Sequence, residues 1–283
     1  MLGWLRNRKR KPEAVLKDAL GAYELPTFPA NVTQALAQLR SPASTLQEIG
    51  DTLLRDPGLS VRLVKLANSP AYGLRNPVKN VHHAVSLLGR SNVETLLLSV
   101  AVRKTIPKNT KPLSAREFWK TSAVRASIAQ KLAARVHPAG KSEAFTAGLL
   151  QDMAIPLLLH ARRADYQELV PLWVANGDLV GAERDRFGWD HGVVAGMLCK
   201  QWDFPETLTS TIGSHHEPEA VQELGLRPTS LVVSCLSLGV EGAEQEAFVE
   251  EVHRQLGVPH DETKRILTEA LAEGTALARE LAA

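Results

Sequence analysis

Histidine and carboxylate side chains are the groups through which this sequence could do chemistry. It contains nine histidines, and one set of them could form a cluster with acidic residues. The members of that set are His215, His216, Glu217, His191 and Asp152. Neutral imidazole and carboxylate groups are suitable ligands for first-row divalent metals. The residue types therefore suggest a metal site, but a site needs convergence of several groups, which spacing along the chain does not establish.

Each of these residues also has a structural interpretation. Asp152 lies in an apolar helical segment, where it could bond Thr121 or a histidine and keep the core satisfied. His191 follows a residue suited to cap a helix, and His215 and His216 would end one, where cations interact favourably with the helix dipole. We favour these structural roles over ligand binding.

Other chemistries have little support in the sequence. It has no Gly-Lys phosphate loop, no dinucleotide-binding glycine motif and no Gly-x-Ser-x-Gly nucleophile turn. Its two cysteines, Cys199 and Cys235, stand apart in apolar helical segments. We therefore expect buried, reduced thiols rather than a disulfide or a cysteine-type zinc site.

The elements that must position these side chains are predicted to be helices. Apolar residues recur with a period of 3.6, as at Val32, Leu36 and Leu39, and no convincing strand alternation occurs. Hydrophobic residues make up 44% of the chain and charged residues 23%, which is typical of a globular protein. The sequence predicts an all-α fold.

Helix boundaries are marked by capping residues and prolines. Ser44 or Thr45 could cap one helix with Glu48 nearby, and Asp56 precedes Pro57 at the start of the next. Long helices are predicted over 114–136 and 142–160, the second kinked or ended early by a proline at position 156. Further helices are predicted at 163–175, 178–187, 190–201, 205–215 and 228–239, with two more at the C-terminus.

A segment rich in proline and polar residues, 107–112, is the best candidate for a linker. We expect a basic tail over 1–17, an N-terminal helical lobe over 18–106, a second lobe over 113–240 and a C-terminal helical extension over 241–283. The basic residues near the start are Arg6, Arg8, Lys9, Arg10 and Lys11. Such a run could touch anionic lipid but is usually a solvated tail.

Charge and hydropathy limit the possible partners and location. The net charge is +2, and with the basic tail set aside the remaining chain is slightly acidic, so we expect no nucleic-acid-binding surface. We also expect no apolar stretch of the roughly 18 residues that span a bilayer and no signal-peptide core. The expected location is cytoplasmic.

Several motifs spread along the chain have a shared resemblance. They are Asp56-Pro57-Gly58-Leu59, Leu66-Ala67-Asn68-Ser69, Tyr72-Gly73, Ala84 to Leu88-Gly89, Phe118-Trp119-Lys120-Thr121-Ser122, Ala147-Gly148-Leu149-Leu150-Gln151-Asp152, Gly188-Trp189-Asp190-His191, Trp202-Asp203-Phe204-Pro205 and His215-His216-Glu217-Pro218. Together they cover roughly residues 24 to 240 and resemble the HDOD domain, an output domain related to the HD metal-dependent phosphohydrolases. The resemblance assigns 18–240 to an HDOD domain with an HD-like multi-helix core.

The same resemblance implies that the metal site of the catalytic relatives has decayed. Those enzymes hold metal with a histidine, a His-Asp pair and a later aspartate, with extra histidines in some branches. Here Thr121 stands at the first histidine and Gln151 replaces the histidine of the pair, while no aspartate occurs around Ser234 and Cys235. A hydroxyl and an amide are poor substitutes for imidazole, so we expect no stoichiometric metal, no cofactor and no catalytic residue. The vestigial pocket would comprise Thr121, Gln151, Asp152, His191, His215 and His216.

The function implied by this resemblance is that of a bacterial signal-transduction output or adaptor domain. We expect a pseudoenzyme that binds other, unidentified signalling proteins and performs no reaction. One alternative is a divergent metal-dependent phosphodiesterase that uses Asp152, His191, His215 and His216. Another is a sensor that binds a nucleotide without hydrolysing it.

Overall fold

The computed structural model describes residues 12–25, 27–68, 74, 76–107, 112–176, 179–217, 228–236 and 244–282. Within them the chain forms helices and no strand, which confirms the all-α prediction. The first helices are α1 (Pro12–Leu20), α2 (Ala30–Arg40), α3 (Leu46–Leu54), α4 (Pro57–Ala67) and α5 (Val81–Thr105). The middle helices are α6 (Ala115–Val136), α7 (Lys141–Leu150), α8 (Ala154–Ala161), α9 (Arg163–Asn176) and α10 (Leu179–Phe187), with a 3₁₀ turn at Pro138–Gly140. The last are α11 (His191–Gln201), α12 (Glu206–Gly213), α13 (Pro228–Cys235), α14 (Gln245–Leu256) and α15 (His260–Ala282).

Helices α2 to α5 pack together as an N-terminal group, and two of them, α3 and α4, start at the predicted capping residues. Thr45 and Glu48 form a reciprocal capping box at the start of α3, and Asp56 accepts from the Leu59 backbone N–H at 2.8 Å at the start of α4. Gly89 interrupts α5 with a φ of 74°, a conformation that glycine adopts without a steric penalty. α5 therefore consists of two helical segments that meet at a kink.

The second lobe is organised around α6, which is packed between α7 and the C-terminal helix α15. Small residues permit this close packing: a Cβ at Gly274 of α15 would lie 2.5 Å from the Val124 Cα of α6. Lys131 of α6 also forms ion pairs with Glu269 and Glu273 of α15. The last helix of the C-terminal extension, α15, is thus packed against α6.

The predicted helix over 142–160 is two helices, and the break does not lie at its proline. α7 ends at Leu150 and α8 begins at Ala154, so Pro156 occupies the first turn of α8. A proline in that turn removes no intrahelical hydrogen bond, because the first N–H groups of a helix have no partner within it. The turn between the two helices carries Gln151 and Asp152.

Part of the predicted basic tail is helical, because the first helix of the described residues begins at Pro12 rather than after residue 17. Residues 12–17 belong to α1, which packs on α8 and α11 of the second lobe. Val15 is fully buried, and Asp18 accepts from the Trp189 indole N–H at 2.9 Å. Apolar residues spaced four apart give α1 a face to bury, which explains why it is helical. The basic residues 6–11 lie outside the described residues, as do 108–111 of the predicted linker.

One hydrophobic core runs through the described helices of both lobes. Two stretches, Val81–Thr105 and Pro138–Ala161, are long and apolar enough by composition to cross a bilayer, contrary to our expectation. However, 56% and 89% of their apolar windows are buried in the protein. Core helices meet the same criterion, so this is weak evidence for a membrane span.

Candidate functional site

Three histidines and one aspartate that are distant in sequence converge in the second lobe. Asp152, His191, His215 and His216 each offer one ligand atom, and these atoms all lie within 4.8 Å of one another. Asp152 comes from the turn between α7 and α8, His191 is the first residue of α11, and the other two follow the end of α12. Among the described residues this is the single set of three or more potential metal ligands.

Tight packing of α11 against α12 brings these residues together. A Cβ at Gly196 of α11 would lie 2.8 Å from the Gly213 Cα of α12, and a Cβ at Gly213 would lie 3.2 Å from the Gly196 Cα, so the helices approach closely because both residues are glycine. A Cβ at Gly192 would in turn lie 3.1 Å from the His215 ring. The start of α11 therefore meets the end of α12, which places His191 beside His215 and His216.

The Nε2 atoms of the histidines face the centre of the cluster. The Nε2 atoms of His191 and His215 each lie 3.4 Å from Asp152 Oδ1. His216 Nε2 lies 2.8 Å from His191 Nε2. His191 and Asp152 are buried, and His215 is fully buried.

The Nδ1 atoms of two of these rings are engaged from outside the cluster. His191 Nδ1 lies 2.8 Å from Glu183 Oε2, and His215 Nδ1 lies 2.7 Å from the Ile212 carbonyl oxygen. Because each partner is an acceptor, we assign the ring proton to Nδ1 in both histidines. Both Nε2 atoms then carry lone pairs: that of His215 faces Asp152, and that of His191 also faces His216, whose Nε2–H can donate to it in the metal-free protein.

Burial keeps the imidazoles of His215 and His216 neutral. It lowers the pKa of His215 to about 3, with the neighbouring His191 adding to the effect. Burial, followed by electrostatic repulsion from the neighbouring rings of His215 and His191, also holds the pKa of His216 well below its ordinary value. Neutral imidazole is the form that binds a metal.

These residues fit a single divalent metal ion. His215 Nε2 is buried and has no hydrogen-bond partner among the described residues, and its lone pair faces a carboxylate oxygen. A buried lone pair that faces a carboxylate oxygen is unfavourable, and a cation between the two groups would relieve it. Three nitrogens and one oxygen suit a first-row metal such as zinc.

The other carboxylate oxygen of Asp152 is bound by an arginine that the sequence did not single out. Arg125 of α6 donates through a guanidinium nitrogen to Asp152 Oδ2. Burial lowers the pKa of Arg125 to about 10, which leaves it charged at neutral pH. Arg125 lies one helical turn after Thr121, and that spacing is the signal by which it could have been found.

The two positions at which we expected lost ligands differ in environment. Thr121 is exposed on α6, one helical turn before Arg125, and Asp152 contacts Arg125 and histidines. Gln151 is 1% exposed, and neither atom of its amide has a hydrogen-bond partner among the described residues. Of the six residues expected in the vestigial pocket, four therefore lie in one cluster, and Gln151 precedes one of them, Asp152, in the sequence.

Further expectations near the site can be compared with the structure. Asp190 caps α11 by accepting from the Val193 N–H at 2.9 Å, so His191 does lie in the first helical turn. Cys199 and Cys235 are buried free thiols, and burial raises the pKa of Cys235 to about 12. Neither cysteine belongs to the cluster.

Comparison with known proteins places this geometry in a family. The model of the HDOD domain matches residues 25–218, more than half of the chain. An uncharacterised protein of Treponema pallidum is 22% identical over 237 residues, which cover 82% of this chain and 45% of that protein. The chain thus spans less than half the length of this relative.

Solved structures share the fold over nearly the whole chain. An HDOD domain protein of unknown function from Geobacter sulfurreducens is 26% identical with a TM-score of 0.70, over 96% of this chain and 99% of that one. A protein named "putative phosphohydrolase" from Shewanella amazonensis is 22% identical with a TM-score of 0.76, over 95% and 98%. A "putative signal transduction protein" from Marinobacter aquaeolei is 19% identical with a TM-score of 0.72, over 96% and 66%. With its helical fold, its motifs and the match over residues 25–218, the chain belongs to the HDOD domain family.

Proposed function

We propose that this protein is a non-catalytic signalling module that acts by binding another protein, and that its histidine cluster is a structural site for one metal ion. The observation that carries the proposal is the composition of the cluster. Asp152, His191, His215 and His216 would hold the ion, and they supply four protein ligands. Structural zinc sites use four protein ligands, whereas catalytic sites keep one position open for water or substrate.

A metal ion with an open position would supply an activated water for attack on phosphate. In this chain the residues around the cluster work against that use. Thr121 offers a hydroxyl where the catalytic relatives have imidazole, and Arg125 binds the second oxygen of Asp152, which leaves that oxygen unavailable to a further ion. Gln151 adds an amide where the catalytic relatives have imidazole. These features support a closed site without turnover.

The proposal modifies our expectation of a metal-free chain, which rested on Thr121 and Gln151. Elemental analysis of protein purified without added metal decides between the two. About one equivalent of a first-row metal would support the structural site, and a metal-free protein would support the original expectation.

The decisive experiment for the non-catalytic role is a hydrolysis assay. We expect wild-type protein, supplied with manganese or iron, to leave a generic phosphodiester and cyclic dinucleotides intact. The His191→Gln variant provides the background rate. Metal-dependent turnover by wild type above that background would refute the proposal and favour the phosphodiesterase alternative.

The signalling role draws support from the family and from the name of the Marinobacter relative, which describes that protein alone.

A binding surface is suggested by the N-terminal group of helices. The exposed large apolar side chains of the described residues all lie there: Leu46, Leu54, Val61 and Leu87. A photo-crosslinker at Val61 should capture another protein in the cytoplasm, our proposed location, whereas the same probe at Glu269 of α15 should not.

A further inference from the structure

A buried glutamate beside the cluster has no role in the sequence motifs. Glu183 of α10 is fully buried, and both of its carboxylate oxygens are engaged. Its Oε2 accepts from the His191 backbone N–H at 2.8 Å and contacts the His191 Nδ1 at 2.8 Å. Its Oε1 accepts from the Tyr166 hydroxyl at 2.6 Å. Three donors therefore hold the buried carboxylate of Glu183 in one position.

Tyr166 of α9 holds Glu183 from the side away from the cluster. Burial, and then the Glu183 charge, raises the pKa of Tyr166, so its hydroxyl keeps its proton and donates. The Tyr166 ring is itself fixed by stacking on Phe187, which stacks on Trp189. Glu183 is therefore held at a defined position beside His191.

The contact to Nδ1 determines which nitrogen of His191 faces the cluster. A carboxylate at Nδ1 accepts a proton from that atom, so Nε2 is left with a lone pair. That lone pair points at the position shared by Asp152 and His216. A carboxylate on the far nitrogen also raises the basicity of an imidazole ligand, and removal of such a partner typically lowers metal affinity about 10- to 100-fold.

We propose that Glu183 is the positioning residue of the cluster: it holds His191 in the Nδ1–H tautomer, with Nε2 directed at a first-row divalent ion, and Tyr166 holds Glu183 in place. The inference rests on the one-ion site of the proposed function. Glu183 does not bind the ion itself, because its oxygens are turned to the outer nitrogen and to Tyr166.

The alternative is a purely structural role, in which Glu183 only caps α11 through the His191 backbone N–H. A cap would affect stability but would leave the ring tautomer and the metal affinity unchanged. Both of these quantities can be measured without any enzymatic activity. They therefore separate a positioning role from a structural one.

The first measurement is the ring tautomer in metal-free protein labelled with ¹⁵N-histidine. Long-range ¹H–¹⁵N correlation spectra should show His191 with its proton on Nδ1 in wild type, the signal being identified by its loss in His191→Gln. In Glu183→Leu, His191 should move toward the Nε2–H tautomer, whereas Glu183→Gln, whose amide oxygen still accepts, should keep Nδ1–H. A wild-type His191 with its proton on Nε2 would overturn the inference.

The second measurement is a titration with Co²⁺ followed by its visible absorption. We expect Glu183→Leu to lower the affinity about 10- to 100-fold, with Glu183→Gln and Tyr166→Phe between it and wild type. Glu269→Gln, on helix α15 and outside the cluster, is the matched control and should bind as wild type. Circular dichroism identifies any variant that fails to fold. If Glu183→Leu fails to fold, the tautomer of His191 in wild type and the affinity of Glu183→Gln still test the inference.

The outcomes separate this inference from the proposed function. If wild type and Glu183→Leu bind Co²⁺ equally, the positioning role is wrong while the metal site stands. If wild type binds no Co²⁺, the one-ion site fails and the inference fails with it. Hydrolysis by wild type would refute the non-catalytic role and would leave the tautomer and affinity results for Glu183 intact.

Discussion

Acidification should destabilise this protein through its buried neutral histidines. His215 is fully buried, and burial lowers its pKa to about 3 from an ordinary value of 6.5. The unfolded chain therefore binds more protons than the folded protein at pH values between these two. The contribution of neutral His215 to the free energy of unfolding is therefore fully present above the pKa of the unfolded chain and is lost as the pH falls below that value.

The size of the effect follows from the two pKa values. Between pH 8 and pH 5, linkage predicts that protonation of the unfolded state lowers the free energy of unfolding by about 2 kcal/mol for His215 alone. His216 contributes in the same direction, because its pKa is also lowered by burial.

Urea unfolding followed by tryptophan fluorescence, with a chelator present at every pH, measures this dependence. We expect the loss between pH 8 and pH 5 to shrink by about 2 kcal/mol in His215→Gln, because the titrating ring is gone. His260→Gln, which removes a half-exposed ring on α15, should retain the wild-type loss. A wild-type stability that stays flat between pH 7 and pH 5, or an unchanged loss in His215→Gln, would refute the reasoning.

Two further predictions concern packing and catalysis. Gly274→Ala should lower the free energy of unfolding by about 1–3 kcal/mol, because its Cβ would lie 2.5 Å from the Val124 Cα; urea unfolding measures this against Gly58→Ala, whose Cβ would meet one side-chain oxygen at 3.3 Å. The double variant Thr121→His, Gln151→His should not acquire metal-dependent phosphodiesterase activity, because the later aspartate of the catalytic relatives is also absent around Ser234 and Cys235. Turnover above the wild-type background in a phosphodiester assay would contradict the second prediction.

Local sequence signals predicted most of the helices and their starts. Thr45 and Glu48, and Asp56 before Pro57, act within one turn of their own helix, so nearby residues suffice to place them. The break before α8 was misplaced because Pro156 was taken as the point of interruption. A proline is tolerated in the first turn, so the helix could begin two residues before it.

The identities of the candidate ligands were also readable from the sequence. Asp152, His191, His215 and His216 were named from residue type and motif, and the structure brings all four together. Thr121 was placed by its motif alone, and its side chain is exposed on α6. Motif position does not determine which face of a helix is buried against its neighbours.

The tertiary structure alone decided the convergence of the site and the residues around it. The sequence by itself determined helices and ligand types, because these depend on contacts within a few residues. The cluster depends instead on the close approach of α11 and α12 at Gly196 and Gly213, which no local pattern specifies. Arg125 reaches Asp152 from 27 residues away, and Glu183 reaches His191 from another helix. Such contacts arise only when separate helices bury their faces against a common core, and so they appear only in the packed structure.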